Sequence, residues 1–257
     1  STFSEPIKHS VVTFFFDKNR LIGQESEPVR ITKRFSAKEL ITTPKEEKVL
    51  DFGQNLTGFV RLKVKGEKGQ EITIKHAEVL DKEGNFYPET LRKAISVDHF
   101  ICNGEEQTFL PHFTFHGFRY ICIEGLEDIH LDNFTACVLH TDMEETGTFT
   151  SSNALVNQLQ SNIQWGQRGN FLDIPTDCPQ RDERLGWTGD AQVFAGTAAY
   201  NYNVALFFKK WLHDLASEQS EEFGVPHVIP NILGNQEGAA AWSDAAVIIP
   251  WVVYETY

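Results

Sequence analysis

Gly58-Phe-Val-Arg-Leu-Lys-Val-Lys65 places Val60, Leu62 and Val64 on one side of an extended chain and Arg61, Lys63 and Lys65 on the other. A period of two is the signature of a strand with one buried and one wet face. The texture recurs in Glu71-Ile-Thr-Ile-Lys-His76, Phe118-Arg-Tyr-Ile-Cys-Ile-Glu124 and Phe134-Thr-Ala-Cys-Val-Leu-His140. Turn-forming stretches at Glu67–Gln70, Lys82–Asn85 and Asn103–Glu105 separate the runs. Many short strands with no helix between them predict an antiparallel β-sandwich over residues 1–145. A further boundary, belonging to an earlier β segment, stays open near 27–45.

After Thr141 the period lengthens. Leu155, Val156, Leu159 and Ile163 fall at helical spacing within 152–165, and Ser151, Ser152 or Asn153 suits the N-cap. Further helices are predicted over 190–200, over 204–218 with Leu206, Trp211, Leu212 and Leu215 as the apolar face, and from Ser243 to the chain end. Residues 146–257 therefore read as a separate helical domain. The apolar pattern Ala245–Tyr254 reaches the end of the chain without a polar stop, so the sequence is expected to be the N-terminal piece of something longer.

The chain carries 36 Asp and Glu against 23 Lys and Arg, a net charge of −13. That balance disfavours a nucleic-acid partner, which calls for a basic face. No apolar run approaches the ~18 residues of a membrane span, so membrane insertion is not expected. Val11–Phe16 is too short for a secretory leader core, and the opening Ser1 suggests a processing boundary. Cys102, Cys122, Cys137 and Cys178 lack CxxC spacing and read as isolated core thiols. Compartment and oligomeric state stay open.

Between the first two helices lies a long loop, 173–187, with Pro175, Pro179 and Gly186. Loops of this length within a compact domain tend to be functional. Asp173, Asp177, Asp182, Glu183 and Asp190 crowd into this region with Arg181 and Arg184. Carboxylates gathered in a cleft raise the pKa of at least one member, and such an acid protonates a leaving-group oxygen near neutral pH. Trp187 and Trp242 would offer apolar faces to the CH surface of a sugar. The same composition also describes a surface ion-pair network, with Trp187 and Trp242 as core plugs.

The stretch Asp177-Cys-Pro-Gln-Arg-Asp-Glu-Arg-Leu-Gly-Trp-Thr-Gly-Asp190 resembles the active-site signature of the bacterial α-L-rhamnosidases of glycoside hydrolase family 78. Asp51-Phe-Gly-Gln-Asn-Leu-Thr-Gly58, His76-Ala-Glu-Val-Leu80 and Phe115-His-Gly-Phe-Arg-Tyr120 resemble the β-domain preceding the catalytic barrel in that family. The likeness covers roughly 27–257.

What the resemblance implies is an inverting glycosidase with an (α/α)6 six-hairpin barrel, incomplete here, since twelve helices with their loops take some ~300 residues. Glu183 falls on the family's general acid, Asp177 and Asp190 on sugar-binding carboxylates, and Trp187 and Trp242 on aromatic contacts. Arg181 would reach a sugar hydroxyl or hold Glu183. The substrate implied is a rhamnose-containing carbohydrate, with no metal or other cofactor, and the base carboxylate lies beyond Tyr257. The alternatives are a carbohydrate-binding β-sandwich on a non-catalytic helical scaffold, and a glycosidase of other sugar specificity. Against the first, all five tryptophans follow Thr150.

Overall fold

The computed structural model describes residues 12–234 and 238–257; Val11, the first residue of the short apolar run noted above, lies outside them. Ten strands come first: β1 (Val29–Ser36), β2 (Glu39–Thr42), β3 (Lys48–Lys65), β4 (Glu71–Ala77), β5 (Val79–Leu80), β6 (Phe86–Tyr87), β7 (Val97–Ile101), β8 (Glu106–Phe109), β9 (His116–Glu124) and β10 (Phe134–Thr141). Eight of them form one antiparallel sheet in the order β1-β10-β3-β9-β4-β7, with β2 and β8 also paired to β3.

The alternating run at 58–65 proves to be the end of an 18-residue strand, β3, which serves as the spine of the sheet. Its start, Lys48–Asp51, pairs with β2 and β9. A bulge between Asp51 and Leu56 then re-aims the strand, whose later part pairs with β10 and β8. One strand thus serves both halves of a curled sheet, and the core lies between them. Leu50 and Phe52 from the first part of β3 meet Val60 and Leu62 from the second, along with Ile72, Ile74, Ile121 and Phe134. Gly58 sits where β3 meets β10. A Cβ there would lie 1.9 Å from the Cys137 carbonyl oxygen, so no other residue fits.

Four helices follow: α1 (Ala154–Asn170), α2 (Thr188–Asn201), α3 (Ala205–Glu218) and α4 (Ala245–Thr256). Asn153 caps α1 by accepting from the Leu155 amide at 2.9 Å. The expected buried stripe of α1 is not buried: Leu155 is 81% and Leu159 58% exposed, and Val156 also faces outward. Burial shifts instead to Gln167, Arg168 and Gly169, where α1 runs five residues beyond Trp165 and wedges against the β-domain. Trp165 lies against Phe35 there, at 5.9 Å between ring centroids. Tertiary contact, not helical spacing, selected the inner face.

α2 packs on α4 through its small residues Ala191, Ala195 and Ala198. In α3, Phe207, Phe208, Trp211 and Leu215 are buried, while Leu206, expected inside, is exposed. Phe207 stacks on Phe171 at 4.5 Å and 7°. Each such aromatic or aliphatic side chain contributes about 1.5–3 kcal/mol on burial. α4 continues through Pro250 and presents Val247, Trp251 and Tyr254 outward. All four cysteines are free and buried. Among the described residues no helix is long and apolar enough to cross a membrane.

Candidate active site

The loop between α1 and α2 opens with a two-residue hairpin, β11 (Phe171–Leu172) against β12 (Ile174–Pro175). Asp173 turns that corner at φ 66° and pairs with Lys210 at 3.0 Å. It is thereby drawn away from the other acids of the cluster. Asp182 is exposed.

Asp177 closes the neck of the following loop. Its Oδ1 accepts from the Leu185 amide at 3.0 Å, and its own amide donates to the Leu185 carbonyl at 3.2 Å. Gly186 follows because the backbone comes down onto the segment leading to α4. A Cβ there would lie 2.1 Å from the Ile229 carbonyl oxygen. Gly189, in the first turn of α2, makes room for the Trp242 indole, whose Nε1 would be 2.9 Å from an added Cβ. These two glycines argue against helix before Thr188, yet they let α2 start against its neighbours. The thiol of Cys178 is pushed up to about 12 by burial and by its bond to Asp177, so it is no nucleophile.

The loop has two faces. One borders a cavity of about 550 Å³ between α1 and α2, lined by Asp177, Asp190, Trp242, Ile163, Gln167 and Phe194 among others. Asp190 is pushed above the usual carboxylate range, first by desolvation and then by the charges of Asp177 and Glu183. The Asp177 side chain is only 7% exposed.

The other face leans on the β-domain. Gln180 Nε2 donates to Glu78 at 2.8 Å. The half-buried Arg184 guanidinium donates to the Phe115 carbonyl at 3.0 Å and lies over the Phe115 ring. Gly117 packs under Pro179 and Gln180, and a Cβ on it would come within 2.7 Å of the Gln180 Cβ. On this face Glu183 Oε2 accepts from Arg92 at 2.7 Å and from Arg181 Nε at 3.0 Å. Arg181 also lies 3.8 Å from Asp177, bridging the two faces. The Trp187 indole donates to the Glu183 carbonyl at 3.2 Å.

Of the six residues singled out from sequence, the structure therefore brings Asp177, Asp190 and Trp242 to the cavity. Glu183 and Arg181 sit beside it on the seam between the domains, and Trp187 lies behind them, bonded to the Glu183 carbonyl. The raised pKa expected at Glu183 is found at Asp190 instead. The two guanidiniums hold Glu183 below the usual carboxylate range, the Arg92 hydrogen bond most strongly.

Sequence reasoning missed Arg92, Glu78 and the Phe115 carbonyl as neighbours of the loop. Two of the three lie within the stretches 76–80 and 115–120 that resemble the family's β-domain, so the signal was present without its meaning. Arg92 carried none.

Residues 144–257 match the family model of the bacterial alpha-L-rhamnosidase 6 hairpin glycosidase domain, and residues 41–140 that of the bacterial alpha-L-rhamnosidase concanavalin-like domain. An alpha-L-rhamnosidase of Streptomyces avermitilis is 44% identical over 241 residues, covering 93% of this chain and 23% of its own length. One from Formosa agariphila is 43% identical over 210 residues, 80% of this chain and 23% of its own length.

Among solved structures, the S. avermitilis alpha-L-rhamnosidase complexed with L-rhamnose superposes with a TM-score of 0.89 at 44% identity. It covers 92% of this chain, which spans 23% of that one. The native enzyme from Aspergillus terreus superposes with a TM-score of 0.90 at 46% identity, covering 94% of this chain and 29% of that one. The chain thus spans about a quarter of the length of these relatives. With a curled antiparallel β-domain followed by part of a six-hairpin helical domain, and both matched in order, the chain belongs to the bacterial α-L-rhamnosidase family.

Proposed function

We propose that the protein hydrolyses terminal non-reducing α-L-rhamnosyl residues of glycosides or polysaccharides. The reaction proceeds with inversion and without a metal, with Glu183 as general acid. The base is a carboxylate beyond the residues of this chain. The observation that carries this reading is the signature loop 177–190, with Asp177 and Asp190 on a cavity wall beside an indole and Glu183 on the adjoining seam.

The chemistry follows from those groups. L-Rhamnose is a 6-deoxy sugar with a methyl group, and Trp242 offers it an apolar partner. Its hydroxyls need acceptors inside a site that sheds water, which Asp177 and Asp190 supply. Glu183 protonates the departing oxygen while water attacks the anomeric carbon from the opposite face. Because cations hold Glu183 as a carboxylate at rest, the protonated fraction needed for catalysis grows toward acid pH. The rate falls as pH rises past its pKa.

Asp190 is the second candidate for the proton donor, on the strength of its raised pKa and its place in the cavity wall. Glu183→Gln and Asp190→Asn in the full-length enzyme separate the two. If Glu183 is the donor, Glu183→Gln slows an alkyl rhamnoside far more than a nitrophenyl rhamnoside, whose leaving group needs no proton. If instead Asp190→Asn shows that split and Glu183→Gln does not, the roles exchange.

A further inference from the structure

We propose that Arg92, carried by the β-domain, is a positioning residue for the rhamnosidase reaction. With Arg181 it occupies Oε2 of Glu183 and leaves Oε1 as the oxygen that delivers the proton. The inference rests on Glu183 being the general acid and adds to it which oxygen acts and what holds it.

An exposed ion pair on its own is worth little, often nothing measurable. Three features lift this one above that level. First, two guanidiniums from different domains converge on the same oxygen, at 2.7 and 3.0 Å, and among the described residues no hydrogen bond reaches Oε1. Two N–H donors saturate the lone pairs of Oε2, so a proton taken up by this carboxyl sits on Oε1.

Second, Arg92 holds a backbone conformation that a non-glycine residue rarely adopts, φ 57° and ψ −111°. Such a conformation persists only where its surroundings enforce it. Leu91 is buried beneath it, and the Arg92 amide donates to the Glu89 carbonyl at 3.2 Å.

Third, the downstream end of the same loop is anchored from inside the β-domain. The Ser96 carbonyl accepts from the His76 amide at 3.0 Å and contacts His76 Nδ1 at 3.1 Å. The Ser96 hydroxyl pairs with His116 Nδ1 at 3.0 Å, and Asp98 Oδ1 lies 3.1 Å from His116 Nε2. The two imidazoles stack at 4.0 Å and 22°, and Asp98 Oδ2 lies 3.8 Å from His76 Nε2. Together these contacts brace the downstream end of the loop. The brace ends one residue before Gly117, which bears on the signature loop. Arg92 and the loop it grips thus share one foundation.

In the reaction, the O–H bond at Oε1 breaks as its proton passes to the glycosidic oxygen. That oxygen leaves with the electron pair of its bond to the anomeric carbon. Water bonds to that carbon and loses a proton to the base. Glu183 ends as a carboxylate whose charge is taken up at Oε2 by Arg92 and Arg181.

The test uses the full-length enzyme and three variants, Arg92→Ala, Arg92→Lys and Glu183→Gln. For each, kcat/KM is followed against pH on an alkyl and on a nitrophenyl rhamnoside. Arg92→Ala is expected to lower kcat/KM on the alkyl substrate about tenfold, since small misplacements of a reacting group are costly. The nitrophenyl substrate should lose less, and the alkaline limb should move to higher pH. Arg92→Lys, keeping the charge, should hold the limb near its original place while recovering only part of the rate. A merely structural role would lower both substrates alike without moving the limb, and that result overturns the proposal. If Glu183→Gln removes the alkaline limb while Arg92→Ala leaves it unmoved, the Arg92 assignment fails alone. If Glu183→Gln leaves both substrates and the limb unchanged, the general-acid reading falls first.

Discussion

Glu183 on the loop and Asp190 in the first turn of α2 stand seven residues apart, and the protein pushes their carboxyls in opposite directions. At the wall of the helical cavity Asp190 stays exposed, yet partial desolvation and the nearby acids raise its carboxyl. The seam with the β-domain offers Glu183 two guanidiniums in the open. A motif dense in carboxylates therefore does not specify which of them is the weak acid. That depends on which face of the loop each side chain takes and what the neighbouring domain brings to it.

The sharpest way to break this comparison is to remove each carboxylate. Glu183→Gln in the full-length enzyme is expected to cost about 10²–10⁴-fold in kcat/KM on an alkyl rhamnoside, the range for a positioned proton donor. Equal losses from Glu183→Gln and Asp190→Asn on every leaving group would erase the distinction between the faces.

A smaller effect is expected from Gly186→Ala. Its Cβ would overlap the Ile229 carbonyl oxygen, and overpacking of this kind costs about 1–3 kcal/mol. Calorimetry should show the helical domain melting earlier, with the β-domain transition in place. Gly117→Ala is its counterpart on the seam, where the displaced atoms belong to Pro179 and Gln180. It should lower activity more than it lowers the melting temperature.

Trp242→Ala should weaken rhamnose binding about tenfold, the order of one lost apolar contact in a pocket. Isothermal titration would read this directly, and unchanged affinity would remove Trp242 from the site. The gentlest effect concerns pH. His76 is held down to about 3 by burial and by the neighbouring His116, against an ordinary value of 6.5. The unfolded chain takes up that proton near 6.5 while the folded one resists, so stability holds above 6.5 and declines as pH falls toward 3. Asp98, also lowered despite its burial, works in the same direction at the acid end. Thermal melts of the protein between pH 7 and 4 should show the slope, and His76→Gln should flatten it.

Much of the β-domain was legible because strand alternation is local. Val60, Leu62 and Val64 face inward, as their spacing requires. The length of β3 was not, since its bulge at 51–56 interrupts the period. Helical spacing misjudged α1 and overlooked Phe207 and Phe208, because which stripe is buried depends on the partner a helix meets. The reading of 177–190 as a site came from residue identity, and the division of that site into a cavity face and a seam face could not. Arg92 is 91 residues from Glu183, and nothing in Leu91-Arg92-Lys93 distinguishes it from a surface basic pair.

By itself, then, the order of residues determined the family, the succession of a β-domain and a helical domain, and the stretch where the acids gather. Periodicity and motif are properties of neighbours along the chain. Only the tertiary structure decided which carboxylate is desolvated and which is gripped by cations. Those depend on distances through space between segments that the sequence keeps far apart.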